Sequence, residues 1–286
     1  MRQLVFLLCC VFAHNVLALA PSKASAAPHY KRAVTLAPHV TELLYAAGAG
    51  DYIIATVSSS DFPEAAKHLP RVGSGITLNN EHLINLNPDV VIAWQPSQAS
   101  LTLTPSLGTL EIELLFSQPK RLAEIPSEVR RFGHLFGTEA IANAKAEAMD
   151  RRIQRLSQSH QDAQPVSVFL EVGSNPIYTI GNDALFNDVL AVCGAVNVYG
   201  SSQVAAPQVN AEDLLQKNPA LVFTTLDNPK AQSERLAYWQ RLQLPAALNQ
   251  HFHAIDPDAL YRPGPRLVDA AEHICELVDA FRVARP

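Results

Sequence analysis

The sequence predicts an exported α/β protein of two related lobes, each built on a central parallel-type sheet, bridged by one long α-helix. Three observations carry this expectation. Short apolar runs alternate with helical patterns along most of the chain; one fifteen-residue pattern occurs twice; and between its two copies lies a helix-forming stretch without Gly or Pro.

In the first half, apolar runs at 33–36, 52–57, 90–94 and 111–116 read as strands, with helical patterns at 41–47, 80–86 and 121–136. The second half repeats the style, with strands at 166–172, 221–225 and 253–255 and helices at 184–193, 211–216, 233–242 and 266–283. Between them, residues 139–159 hold mostly Ala, Glu, Lys, Arg, Gln and Met, a composition that favours one continuous helix. At about 1.5 Å per residue it would span some 30 Å, enough to brace two lobes and limit their movement. Its charges, including Lys145, Glu147, Asp150, Arg151, Arg152 and Arg155, read as a solvated face. The expected organisation is a signal segment at 1–26, an N-terminal lobe at 27–137, a bridging helix at 138–162 and a C-terminal lobe at 163–286.

The repeat aligns residues 78–92 with 209–223 at a constant offset of 131, and Asn79, Glu81, Leu83, Asn87 and Pro88 match Asn210, Glu212, Leu214, Asn218 and Pro219. Each copy reads as an Asn-capped short helix, a stop at Asn-Pro and a buried strand. Glu81 and Glu212 therefore take corresponding exposed positions at a helix start in each lobe. A carboxylate is favourable there in any protein, but a symmetric pair suggests a partner with matching basic patches.

At the N-terminus, Arg2 precedes apolar runs at 4–13 and 16–20, followed by small residues, the layout of a secretory signal. Ala24-Ser25-Ala26 offers the small residues a signal peptidase requires, whereas the competing Ala18-Leu19-Ala20 is blocked by Pro21; the mature start is placed near Ala27. Lipidation would have to use Cys9 or Cys10, and Leu8 stands where a small residue is wanted. No other run is long enough to span a membrane as an apolar helix. Removing residues 1–26 changes the balance from 22 basic against 27 acidic residues to 20 against 27, or −7, which argues against nucleic acid as a partner. Two of the four cysteines also leave, and an oxidising compartment would join the remaining Cys193 and Cys275, on apolar faces of helical patterns; two buried thiols are the alternative.

No G-x-S-x-G elbow, Walker loop, G-x-G-x-x-G fingerprint or H-E-x-x-H motif is present, so no enzyme chemistry is expected. Asp258 and Arg262, beside Pro263 and Pro265, read as a loop that hydrogen-bonds polar ligand groups. Among nine mature histidines only His251 and His253 are close, too few for a metal receptor.

Several segments carry a resemblance: Thr35-Leu36-Ala37-Pro38-His39-Val40-Thr41-Glu42-Leu43, Ser59-Ser60-Asp61-Phe62-Pro63-Glu64, Asn87-Pro88-Asp89-Val90-Val91-Ile92-Ala93-Trp94, Asn175-Pro176-Ile177-Tyr178-Thr179 and Val192-Cys193-Gly194. In this order and spacing, over about residues 31–282, the chain resembles the vitamin B12-binding members of the helical-backbone periplasmic binding proteins, which serve cobalamin, haem and siderophore importers. The resemblance implies a monomeric periplasmic receptor, without a resident cofactor, that captures a cobalamin-like ligand between two lobes and hands it to the permease subunits of an inner-membrane ABC importer. It implies docking roles for Glu81 and Glu212 opposite permease arginines, and a Cys193–Cys275 disulfide. Trp94, Asp258 and Arg262 match positions in the family's ligand cleft, and Tyr178 stands where the family has another aromatic. Ser59, Gly75 and Ala206 fall where it has a tyrosine and two tryptophans, a loss of aromatic contact area. The ligand set expected is thus Ser59, Trp94, Tyr178, Asp258, Tyr261 and Arg262. A haem or ferric-siderophore receptor is the alternative, with His39, Tyr178 and Tyr261 as candidate iron ligands.

Overall fold

The computed structural model describes residues 29–284, so the signal segment expected at 1–26 lies outside the described residues. The N-terminal lobe runs β1 (Ala33–Thr35), α1 (Pro38–Ala46), β2 (Ile53–Ala55), α2 (Asn80–Asn85), β3 (Val90–Ala93), α3 (Gln98–Leu101), α4 (Thr104–Thr109), β4 (Glu113–Phe116) and α5 (Glu124–Phe136). Its strands are all parallel, in the order β2-β1-β3-β4. Then α6 (Glu139–Ser159) leads to β5 (Val166–Ser174), β6 (Ile177–Thr179), α7 (Ala184–Val192), β7 (Ala195–Asn197), β8 (Gln208–Val209), α8 (Ala211–Lys217), β9 (Leu221–Thr224), α9 (Pro229–Arg241), α10 (Pro245–Leu248), β10 (Phe252–Ala254), α11 (Pro257–Tyr261) and α12 (Pro265–Ala284).

The second lobe repeats the first and then adds to it. Its parallel strands lie in the order β7-β5-β9-β10, the counterpart of β2-β1-β3-β4. Because β5 is long, its C-terminal half also pairs with β6, which pairs with β8, both antiparallel; this sheet is mixed. The repeat holds at both of its turns. Asn79 accepts the His82 backbone N–H at 2.9 Å and Asn210 that of Asp213 at 2.7 Å. Asn87 and Asn218 both sit at φ 45°, a left-handed conformation that Asn tolerates better than most residues, Asn218 as the C-cap of α8 and Asn87 just after the Leu86 cap of α2, each directly before Pro. Strands β3 and β9 fill the same four positions of the repeat. Val90 and Ile92, with Leu221 and Phe223, face one core, while Val91 and Val222 face the outer layer of their own lobes.

That inner core is shared. It runs from β1 and α1 through α5 and α6 to β5, α7 and α12, so the lobes meet along continuous apolar packing. Large hydrophobic contacts of this kind oppose the hinge motion otherwise expected between domains. Helix α6 buries Ala142, Ala146, Met149 and Ile153, a stripe at helical spacing. Its charged face is not merely solvated: Arg152 donates to Glu272 at 2.8 and 2.5 Å and to Asp269 at 2.6 Å, tying α6 to α12. The α5–α6 contact is closest at Gly133, where an added Cβ would lie 2.2 Å from the Ala142 Cβ. Gly133→Ala should therefore destabilise the protein by about 1–3 kcal/mol through overpacking, although alanine is the better helix former. Denaturant unfolding measures this, and a stabilised variant would show that α5 can move away from α6.

Cys193, at the end of α7, is bonded to Cys275 on α12, with Cα atoms 4.7 Å apart and 82 residues enclosed. A loop of that length predicts that Cys193→Ala with Cys275→Ala costs roughly 2–5 kcal/mol of stability. An unchanged denaturation midpoint would show that the packing of α7 on α12 suffices alone.

Sequence boundaries moved where caps govern them. Helix α9 begins at Pro229 because Asn228 accepts the Lys230 N–H at 2.9 Å. The stretch at 257–261, expected as a loop, is helix α11, started by Asp256, whose side chain accepts the Asp258 N–H at 2.8 Å, with Pro257 in the first turn.

Candidate functional site

Strand order places the C-terminal ends of β1, β3 and β4 at the rim between the lobes, where parallel sheets present ligand sites. Trp94 follows β3 directly and is 42 % exposed, an unusual cost for the largest aromatic side chain unless something covers it. It is held edge-on against His39 at 5.3 Å between ring centroids. His39 is buried on α1, its Nε2 3.0 Å from the Ser117 carbonyl, and burial pushes its pKa down to about 4. It is therefore a neutral ring that donates to that carbonyl and fixes Trp94. With Nε2 occupied and the ring buried, His39 does not meet the expectation of an iron ligand.

Trp94 walls two cavities. One, of about 410 Å³, lies between the lobes, lined on one side by Trp94, Gln118 and Lys120 and on the other by Asn182, Phe186 and Tyr261. The second, of about 280 Å³, lies wholly in the N-terminal lobe and includes Ser59 and Gly75. Tyr261 is half-buried, and its hydroxyl donates to Thr225 Oγ1 at 2.9 Å.

Beside the larger cavity the lobes are joined by charge. Arg262 donates to Asp61 and, at 2.6 Å, to Asp258, and lies 3.6 Å from Glu42. Arg266 holds both oxygens of buried Glu42, at 2.7 and 3.1 Å, and stacks its guanidinium over the Phe62 ring at 4.6 Å. The Arg262 side chain is only 11 % exposed, whereas those of Asp61 and Asp258 are 46 % and 49 % exposed, so the exposed groups of this cluster are carboxylates; none of the three residues lines either cavity. The hydrogen bond from Arg262 holds the Asp61 carboxyl below its usual pKa and keeps it ionised. On the other flank, Asp188 of α7 accepts the Leu122 N–H at 2.8 Å, a further tie between the lobes.

The loop carrying Ser59 and Asp61 is fixed from behind. Ser60 Oγ accepts from Thr56 at 2.7 Å and Thr41 at 3.1 Å, Thr35 donates to Thr56 at 2.8 Å, and all four hydroxyls are buried. Arg71 donates to the Val57 and Ser60 carbonyls at 2.8 and 3.0 Å.

Of the residues expected from the sequence, Trp94 and Tyr261 line the cavity at the lobe junction, Asp258 and Arg262 stand beside it in the ion-pair cluster without lining it, and Ser59 lies in the adjoining N-lobe cavity. Tyr178 is partly exposed on β6 and Ala206 is exposed, and neither lines the two cavities. Asp61, Phe62 and Lys120 were missed. Asp61 meets Arg262 across 201 residues, a pairing with no local signature, whereas Phe62, an exposed aromatic in a polar segment, was open to notice. Glu81 and Glu212 are exposed in the first turns of α2 and α8 and line neither cavity.

The model of the periplasmic binding protein family matches residues 34–259. The chain belongs to this family. It is 34 % identical over 245 residues to the vitamin B12-binding protein of Vibrio cholerae serotype O1, covering 86 % of this chain and 88 % of that protein. Among solved structures, the periplasmic vitamin B12-binding protein of Vibrio cholerae superposes with a TM-score of 0.80 at 33 % identity, covering 88 % of this chain and 98 % of that one. A periplasmic haem-binding protein of Vibrio cholerae shares the fold, with a TM-score of 0.74 at 22 % identity over 86 % of this chain and 98 % of the other. As a periplasmic binding protein the chain is a solute binder, and its two bridged α/β lobes are the architecture of that family.

Proposed function

We propose that this periplasmic binding protein captures a cobalamin-like corrinoid in the periplasm and delivers it to the permease subunits of an inner-membrane ABC importer. The observation that carries the choice of ligand is the state of the cleft charges. Arg262 is enclosed by Asp61, Asp258 and Glu42, and two half-exposed carboxylates face outward. Such a rim accepts hydrogen bonds from neutral amides, which fringe a corrin ring, and disfavours the free carboxylates of haem. Lys120 supplies a cation in the larger cavity for the single phosphodiester of a cobalamin, while the other charged residue of that lining, Asp183, accepts the Phe186 N–H as a helix cap. The iron-ligand set is also weak: His39 is buried and bonded, Tyr261 is bonded to Thr225, and Tyr178 is apart from both cavities. Relatives bearing the name vitamin B12-binding protein, at 30 to 34 % identity over most of the chain, support the same ligand.

In this reading Trp94 packs on the ligand, Ser59 and Tyr261 extend its contact surface, and Asp258 and Asp61 accept from its amides while Arg262 holds them in place. Tyr178 contributes from the rim. The shared core and the ion pairs across the junction keep the lobes near one separation, so the ligand enters a largely preformed cleft. Protein recovered from periplasm supplied with both chromophores should show corrin absorption and no Soret band; a Soret band alone would assign the cleft to haem.

A further inference from the structure

We infer that the cavity of about 280 Å³ in the N-terminal lobe is a subsite for an uncharged nucleoside carried on the cobalt, the adenosyl group of adenosylcobalamin. This rests on the corrinoid reading above and adds which form of the ligand the cleft selects. The two cavities share Trp94 as a wall but differ in chemistry. Lys120 lines the larger one together with Asp183, the N-cap of α7, while no charged side chain among the described residues lines the smaller. A corrinoid presents the same asymmetry, since the nucleotide on one face of its ring bears a phosphodiester and the upper ligand on the other face is neutral.

The smaller cavity has the composition a nucleoside needs. Leu36, Pro38 and Ile76 supply apolar walls, and Ser59 and Gln95 supply polar groups. The indole of Trp94, exposed and held by buried His39, offers a flat surface on which a base can stack. The space is held open by the backbone. Gly75 takes φ +87°, which favours glycine, and an added Cβ there would stand 3.4 Å from the Leu36 carbonyl oxygen. The cavity is too small for a whole drug-sized ligand and suits one appended group. A cyano or methyl upper ligand would leave it unfilled.

The test is calorimetric titration of the full mature protein in the dark with adenosylcobalamin, methylcobalamin and cyanocobalamin. Adenosylcobalamin should bind about tenfold more tightly than the other two, as one stacked base implies. Ser59→Tyr, at an exposed loop position, should fill the cavity and bring the ratio of adenosyl to cyano affinity close to one. Illumination in air, which cleaves the cobalt–carbon bond and leaves aquacobalamin, should abolish the advantage for the wild type. Equal affinities for all three forms, or a preference that survives Ser59→Tyr, would overturn the subsite alone. Binding of none of them would overturn the corrinoid reading and the subsite with it.

Discussion

Replacing Glu81 and Glu212 together by alanine is expected to weaken complex formation with the importer by roughly two to four orders of magnitude, at about 1.5–3 kcal/mol for each charge-assisted pair. The physical basis is the duplication. Both glutamates stand two residues after a capping Asn, in the first turns of helices related by the repeat, and both are exposed. A permease with two like subunits presents one surface twice, and two lobes with one carboxylate each answer it. Since neither glutamate lines the cleft cavities, ligand affinity should stay within about twofold, as for most surface substitutions. Pull-down on the reconstituted permease and calorimetry with ligand separate the effects. A double variant that lost ligand and docked normally would reverse the assignment.

Trp94→Ala should lower affinity for cobalamin by roughly 10- to 100-fold, the loss of one large aromatic contact in a buried interface. Its exposure means that little folding energy rests on it, so the thermal midpoint should barely move. His39→Leu is a useful companion. It keeps bulk beneath the indole but removes the hydrogen bond to Ser117, so it should weaken binding less than Trp94→Ala. Unchanged affinity in Trp94→Ala would make Trp94 a packing residue of the N-terminal lobe.

The parts of the fold legible in the sequence are those fixed by local chemistry. Helix α6 occupies the residues expected because helix formers run unbroken between Thr138 and His160. The two Asn-capped helices and the strands after Asn-Pro follow from caps, stops and apolar runs that lie within fifteen residues of each other. Strands β6, β7 and β8 were missed because each has only two or three residues and depends on pairing with β5 or β6. Helix α11 was missed although Asp256-Pro257 is a helix-start signal, since the prolines around it suggested a loop.

The site divides along the same line. The exposed position of Trp94 was readable from its place at the end of an apolar strand, and the disulfide because only two cysteines lie beyond the expected signal segment. The role of Arg262 was not. Its partners Asp61 and Glu42 lie in the other lobe, and only the three-dimensional arrangement shows that its charge is already satisfied. The same holds for His39, which sequence offered as an iron ligand and which burial makes a neutral support for Trp94.

The most direct test of the account is a calorimetric titration of the purified mature protein with cyanocobalamin, haemin and a ferric siderophore in turn. The cleft described here predicts saturable binding of one cobalamin per chain and no comparable heat from the other two. Tight haemin binding with a Soret band, and no response to cobalamin, would contradict it.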